Sequence, residues 1–384
     1  MYTVTQGGFP PGQESSGKAC WERGESAMKT LEAPAVGKRS AAVDTAKTAA
    51  IFGTILIHAS AMGGFAWETG SANWVWALFW GSVLRCAVPV FFLCSGALLL
   101  NPEKNVTIRR VWTHYIPRIA VALFFWAAAY GAWPVFLTWL HTGVVEAAGL
   151  RTWAKNLLFW RHKTHLYYLH IILLVYALLP LTRLFAARAD RRLMGYALGI
   201  WFALGCVLPV LRAFWPLSQI GGIPAQYPIN LTWGAVGYGL LGHVLTEEAP
   251  RFRPRTFALL YLTGLAVTFG GTWGLSLLKG GLYLGFLQGN APGVCLEAAG
   301  LYGWCVSRCS GRAGTRCTRT ISQASFCVYL VHLFFLEEWV SRGFSAGAYP
   351  PVWAVPVLTA AVFVVSFGVW LILRRIPVVN RWLI

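Results

Sequence analysis

The chain has 384 residues, of which 57% are hydrophobic, 15% aromatic and only 12% charged, with a formal net charge of +18. A soluble protein of this size would carry about a quarter charged residues, which excludes a water-soluble globular enzyme. The positive charge excludes a nucleic-acid partner as well, because it is dispersed among short segments between apolar runs instead of gathered into one basic stretch.

Residues 1–40 are rich in Gly, Ser, Glu, Lys and Pro without a helical stripe, which predicts a disordered tail. No apolar core precedes a small-residue cleavage site, so the tail does not read as a secretory signal, and Met28 is an alternative start. From residue 41 onward, apolar runs of about 20 residues, enough to cross a bilayer, recur along the chain. They fall at 42–63, 74–100, 114–139, 165–185, 193–215, 226–246, 256–278, 288–306, 321–341 and 351–373. The expected fold is an all-α polytopic membrane protein, a bundle of about ten transmembrane helices forming one domain over 41–374, with a short tail at 375–384. With the N-terminus inside, 23 of the 32 basic residues lie in inside segments and seven outside. That asymmetry is the positive-inside rule, and it predicts that both termini are cytoplasmic. No internal repeat is visible, which counts against a transporter built from inverted halves. The nine cysteines form no CxxC pair and no Cys/His spacing typical of zinc, so neither disulfides nor a metal site is expected.

The first run contains TAKTAAIFGTILIHAS, residues 45–60. Lys47 and His58 are eleven residues apart, three helical turns plus about 20°, so both share one face about 16 Å apart along the axis. Asp44 lies on the same stripe, and its roughly 21 Å rise to His58 forbids an Asp–His dyad. Ionisable groups inside membrane segments are costly and usually mark function. A stripe with a cation at one end and an imidazole at the other suits a long ligand such as acyl-coenzyme A, with a polyphosphate head, a thin arm and a thioester tip. The plainer account makes Lys47 a snorkelling anchor and His58 an interhelical hydrogen-bonder.

In the second run, VLRCAVPVFFLCSGALLL (83–100), Arg85 needs a partner, Pro89 loosens the helix, and Ser95 with Gly96 permits close packing. Glu297, in the eighth run, is the carboxylate best placed to pair with Arg85, or else to orient His58. At the start of the third run Arg110, His114, Pro117 and Arg118 fall near one helical face. They read either as a positive-inside anchor or as a phosphate clamp working with Lys47. The loop RTWAKNLLFWRHKTH (151–165) breaks the charge pattern. It reads either as an interfacial helix with Trp153, Phe159 and Trp160 in the headgroups, or as a basic lip for a phosphate or acidic sugar. The fourth run opens with His165, Tyr167, Tyr168 and His170, and the ninth sets Tyr329 and His332 at i, i+3.

Taken together these segments resemble the membrane acyltransferase family 3, whose members O-acylate bacterial cell-envelope glycans. The resemblance covers about residues 41–374 and is nearest the domain-only, enterobacterial-common-antigen O-acetyltransferase type. It rests on Lys47, ten residues, then His58; on VDTAK; on RCAVPVFFLCSGALL with Arg85, Pro89, Ser95 and Gly96; on HLYYLHIILLVYALLP; and on SFCVYLVH. One departure is visible: the family often has two arginines three residues apart after the second span, whereas Arg110 is followed by Thr113 and His114. The resemblance implies a ten-helix bundle around an acyl-donor cavity, in the bacterial inner membrane. It implies acyl-coenzyme A, expected to be acetyl-coenzyme A, as co-substrate and a glycan or lipid-linked sugar as acceptor. On this reading Lys47, Arg110 and Arg118 bind the donor, and His58 is catalytic base or acyl carrier. Asp44, Arg85, Ser95, His165, Tyr168, Glu297, Tyr329 and His332 are supporting or acceptor-side residues. A proton-coupled transporter using His58, Arg85, His170, Glu297 and His332 as a relay is the alternative from another class. A non-catalytic sensor of acyl donor or glycan is a third.

Overall fold

The computed structural model describes residues 40–309, 312 and 314–384, so the tail expected at 1–40 lies outside the described residues except for Ser40. Those residues form helices and turns, with no strand among them. Side-chain caps set several helix starts, each a short polar oxygen accepting a backbone N–H of the first turn. Ser40 caps α1 (Ala41–Gly64) and Ser71 caps α2 (Ala72–Val83). A turn at Leu84–Cys86 separates α2 from α3 (Ala87–Leu99). Pro89 has no N–H for the Arg85 carbonyl, so an unbroken helix could not run through this point.

After a Thr107-capped turn the chain passes through a π turn, Val111–Tyr115, into α4 (Ile116–Thr142), which ends at Gly143 with φ 71°. Next come α5 (Ala147–Leu158), α6 (Tyr167–Ala177) and α7 (Leu179–Arg188); α6 and α7 meet at 57°, where Pro180 interrupts the ladder. The series continues with α8 (Arg191–Trp201), prolonged through a second π turn to Leu211, and α9 (Leu231–Glu248). It closes with α10 (Pro254–Lys279), α11 (Pro292–Cys309), α12 (Arg316–Ser341), α13 (Pro351–Leu373) and α14 (Pro377–Trp382).

Among the described residues six helical runs are long and apolar enough to cross a membrane: Ala72–Leu99, Ile108–Thr142, Arg191–Leu211, α10, α12 and α13. The bent pair α6–α7 makes a seventh. The protein is thus a multi-pass, all-helical membrane protein. α1, α9 and α11 occupy the three remaining expected positions, but their polar residues and glycines dilute their apolarity, among them Asp44, Lys47, His58, His243 and Glu297. Length and composition therefore support six or seven spans, not the expected count of about ten.

α1 is the axial helix, packed against α2, α3, α11, α12 and α13. α3 meets α9 at backbone distance: a Cβ placed on Gly96 would come within 1.9 Å of the Gly239 carbonyl oxygen. This is the close small-residue packing that membrane helices use where apolar burial no longer drives association.

α5 packs on α4 through two of the three aromatic residues assigned to the headgroups, while the third, Phe159, stays exposed. The Trp153 indole donates to the Ala128 carbonyl at 3.0 Å and packs on Gly131, and the Trp160 ring lies 5.0 Å from that of Phe124. Phe124 is eighteen residues before the end of α4, about 27 Å along it. α5 therefore runs back along α4. An amphipathic aromatic helix reads the same whether its apolar face meets headgroups or a glycine groove on a neighbour, and Trp153 occupies such a groove at Gly131.

Candidate active site

Within α1 the backbone leaves helical values only at Met62 and Gly63. The stripe from Asp44 through Lys47 to His58 is thus unbroken, and it has two ends of different chemistry.

At one end α1 meets α12. The His58 ring centroid lies 5.3 Å from that of His332, and His332 lies 5.6 Å from His165. His58 is half-buried, whereas His332 and His165 are 0% and 1% exposed. The Tyr329 hydroxyl holds this arrangement by donating to the His165 carbonyl. His332 Nδ1 is 2.6 Å from the Tyr329 carbonyl, an oxygen that can only accept, so Nδ1 carries the proton and Nε2 presents its lone pair. Among the described residues that Nε2 and both ring nitrogens of His165 have no hydrogen-bond partner. The Tyr168 ring meets Tyr329 edge-on at 5.5 Å and lies tilted 5.1 Å from Phe92, beside the Ser95 hydroxyl.

Arg85 lies within electrostatic reach of His58, Glu297 and Tyr167. Its Nε donates to the Leu287 carbonyl at 2.5 Å, and no ion pair with Glu297 forms among the described residues. The expected Arg85–Glu297 pairing is thus a longer-range coupling. Glu297 is 0% exposed and sits beside the Thr268 hydroxyl and the Cys86 backbone, without a well-formed hydrogen bond to either oxygen.

At the other end Lys47 joins Lys104, Arg110 and Arg183, close enough that the three repel the Lys104 charge. Partial burial, and then that repulsion from Lys47, Arg110 and Arg183, pulls the Lys104 ammonium below the usual lysine range. Arg183 braces the loop after α3, donating to the carbonyls of Leu99, Asn101 (3.0 Å) and Lys104 (2.7 Å). Asp44 is buried at this end, 4% exposed. The Arg118 guanidinium donates to the Ile384 carbonyl at 2.9 Å, beside the Trp126–Leu383 bond of 3.0 Å. Arg110 instead reaches the Asn105 carbonyl at 3.2 Å. The regular helical face expected to join Arg110 and Arg118 is interrupted by the π turn at 111–115.

Lys104 and Arg183 were legible in the sequence only as orientation charges. The signal that could have drawn Arg183 in is Pro180, three residues earlier, which bends α7 out of the line of α6.

No curated protein and no solved structure matches the chain. The family profile described as an acyltransferase domain matches residues 40–374, from just before the first helix to the end of the last long one. With that match over most of its length, the chain belongs to membrane acyltransferase family 3 and is an acyltransferase.

Proposed function

We propose that the protein transfers an acyl group, expected to be acetyl, from acyl-coenzyme A to a hydroxyl of a cell-envelope glycan or lipid-linked sugar. It would act in the bacterial inner membrane with both termini in the cytoplasm. The observation that supports this most is the axis of α1, with a group of cations at one end and three imidazoles at the other. Along that axis Lys47 and His58 are about 16 Å apart, a length suited to a donor with a phosphate head and a thioester tip.

In this mechanism Lys47, Lys104, Arg110 and Arg183 hold the donor phosphates through charge-assisted hydrogen bonds. The acceptor hydroxyl oxygen attacks the thioester carbonyl as His58 takes its proton. A C–O bond forms, the C–S bond breaks, and His58 returns the proton to the departing thiolate. The alternative covalent route has His58 attack first and carry the acyl group to the hydroxyl. In either route the Nε2 lone pair of His332 can accept a hydrogen bond from the neighbouring imidazole and orient it.

The test uses purified protein in nanodiscs with labelled acetyl-coenzyme A, following binding and slow thioester hydrolysis. Wild type should bind and hydrolyse the donor, and Lys47→Ala should raise the dissociation constant by about tenfold, the cost of one hydrogen bond to a charged group. If wild type neither binds nor hydrolyses acetyl-, succinyl- or longer acyl-coenzyme A, the reading fails. Uptake driven by a proton gradient without donor consumption would then identify a transporter.

Lys104 adds a pH signature. Its proton is held weakly in the free protein, and a bound phosphate favours the protonated form. Binding therefore takes up a proton wherever Lys104 is neutral. Donor affinity should be full at low pH and fall as pH rises through the lowered Lys104 value, below the ordinary lysine range. In Lys104→Arg, whose guanidinium stays charged, this alkaline fall should vanish; if it persists, Lys104 is not part of the phosphate site.

A further inference from the structure

Between α5 and α6 the chain carries Arg161, His162 and Lys163 in succession, within non-helical backbone. The rings of Trp160 and His162 pack on Phe124 at 5.0 and 5.7 Å, and His162 Nδ1 lies 3.2 Å from His170 Nε2. Phe124 and His170 both belong to helices apolar enough to cross a membrane. The segment is therefore anchored on both helices through its rings, while Arg161 and Lys163 stay exposed.

A cavity is present there, of about 320 Å³, walled by Tyr130, Trp153, Asn156, Arg161, His162 and Lys163. That volume is in the range of small-ligand sites. The wall is prepared for a particular chemistry. Trp153 is an aromatic plane fixed by its bond to the Ala128 carbonyl, and Asn156 offers an amide to hydroxyl groups. Lys163 is neutralised by Glu337 at 2.7 Å, whereas Arg161 makes no ion pair among the described residues. Its guanidinium is therefore the uncompensated charge at this cavity, a fork suited to carboxylate or phosphate oxygens. The cavity also adjoins the reaction centre: the Tyr130 ring lies 4.7 Å from His165, which leads through His332 to His58.

We propose that this cavity is the acceptor subsite and takes an anionic saccharide, a sugar ring bearing a carboxylate or a phosphate. Its role as acceptor site rests on the acyltransferase mechanism proposed above; the binding of an anionic sugar does not.

The test is saturation-transfer NMR on the full chain in nanodiscs, with glucuronic acid, glucose 1-phosphate and glucose as probes. At least one anionic sugar should receive saturation on its ring protons and bind at least tenfold more tightly than glucose. Glucuronic acid alone would identify a carboxylate-bearing acceptor, and glucose 1-phosphate alone a phosphate-bearing one. Arg161→Gln should erase the preference and Arg161→Lys should keep part of it; Arg161 is exposed, so neither change threatens folding. Trp153→Ala should weaken all three sugars together. Equal binding of glucose, or no effect of Arg161→Gln, overturns the proposal. So does displacement of glucose 1-phosphate by inorganic phosphate at equal concentration, which would mark a bare anion site. Donor hydrolysis followed in the same preparation separates the two levels. Hydrolysis without sugar binding removes the subsite alone, and sugar binding without donor chemistry removes the acyltransferase mechanism while the subsite stands.

Discussion

His58→Ala should turn over acyl donor about 10²–10⁴-fold more slowly than wild type, the usual loss when a positioned general base is removed. Donor binding should change by no more than about twofold, because groups more than about 10 Å apart without shared partners couple weakly, and the phosphate end lies about 16 Å away along α1. The split is diagnostic. A residue that merely propped up the bundle would lower binding and turnover together. His332→Ala should lose less, since its imidazole acts through its neighbour at 5.3 Å. Incubation with labelled donor and no acceptor distinguishes the two routes: an acyl-histidine that accumulates on wild type and is absent from His58→Ala marks the covalent one. Turnover by His58→Ala within tenfold of wild type would sink the assignment, leaving His332 Nε2 as the group to test.

Gly96→Ala should be the most damaging small substitution in the bundle. The added methyl would meet the Gly239 carbonyl oxygen at 1.9 Å and its carbon at 2.5 Å, both of them backbone. No side chain can swing away, so α3 and α9 must part along their length. Overpacking of this kind costs about 1–3 kcal/mol even where neighbours can adjust, and here the upper end applies. A fall of several degrees in the thermal unfolding midpoint is expected, with loss of activity as Ser95 is carried off with α3. Gly199→Ala in α8 is the matched control. Its methyl would find nothing within 4 Å, so the ordinary helical gain of alanine over glycine, about 0.5–1 kcal/mol, should be seen instead. Similar behaviour of the two variants would show that the α3–α9 approach is not what holds these helices in place.

The Lys47–His58 stripe was legible in the sequence because it needs only the angle per residue of one uninterrupted helix, and α1 is uninterrupted until Met62. The ninth-run pair Tyr329 and His332 was legible for the same reason, and so was the helix-loosening role of Pro89. What failed to transfer were statements about partners. Arg85 spends its Nε on the Leu287 carbonyl, at the end of a single 3₁₀ turn that no residue pattern announces. The course of α5 along α4 has one local hint, Gly131, a gap that Trp153 fills. Lys104 and Arg183 come together through a loop and a proline bend, neither of which has a period to read.

The π turn at Val111–Tyr115 bears on the one place where the family pattern failed to register. A π turn takes one residue more per revolution than an α turn, so the angular position that a regular helix reaches in three residues is reached here in about four. Counting from Arg110, that position belongs to His114, whereas a regular helix would give it to Thr113. Deleting Thr113 should restore the regular helix and the three-residue spacing at once.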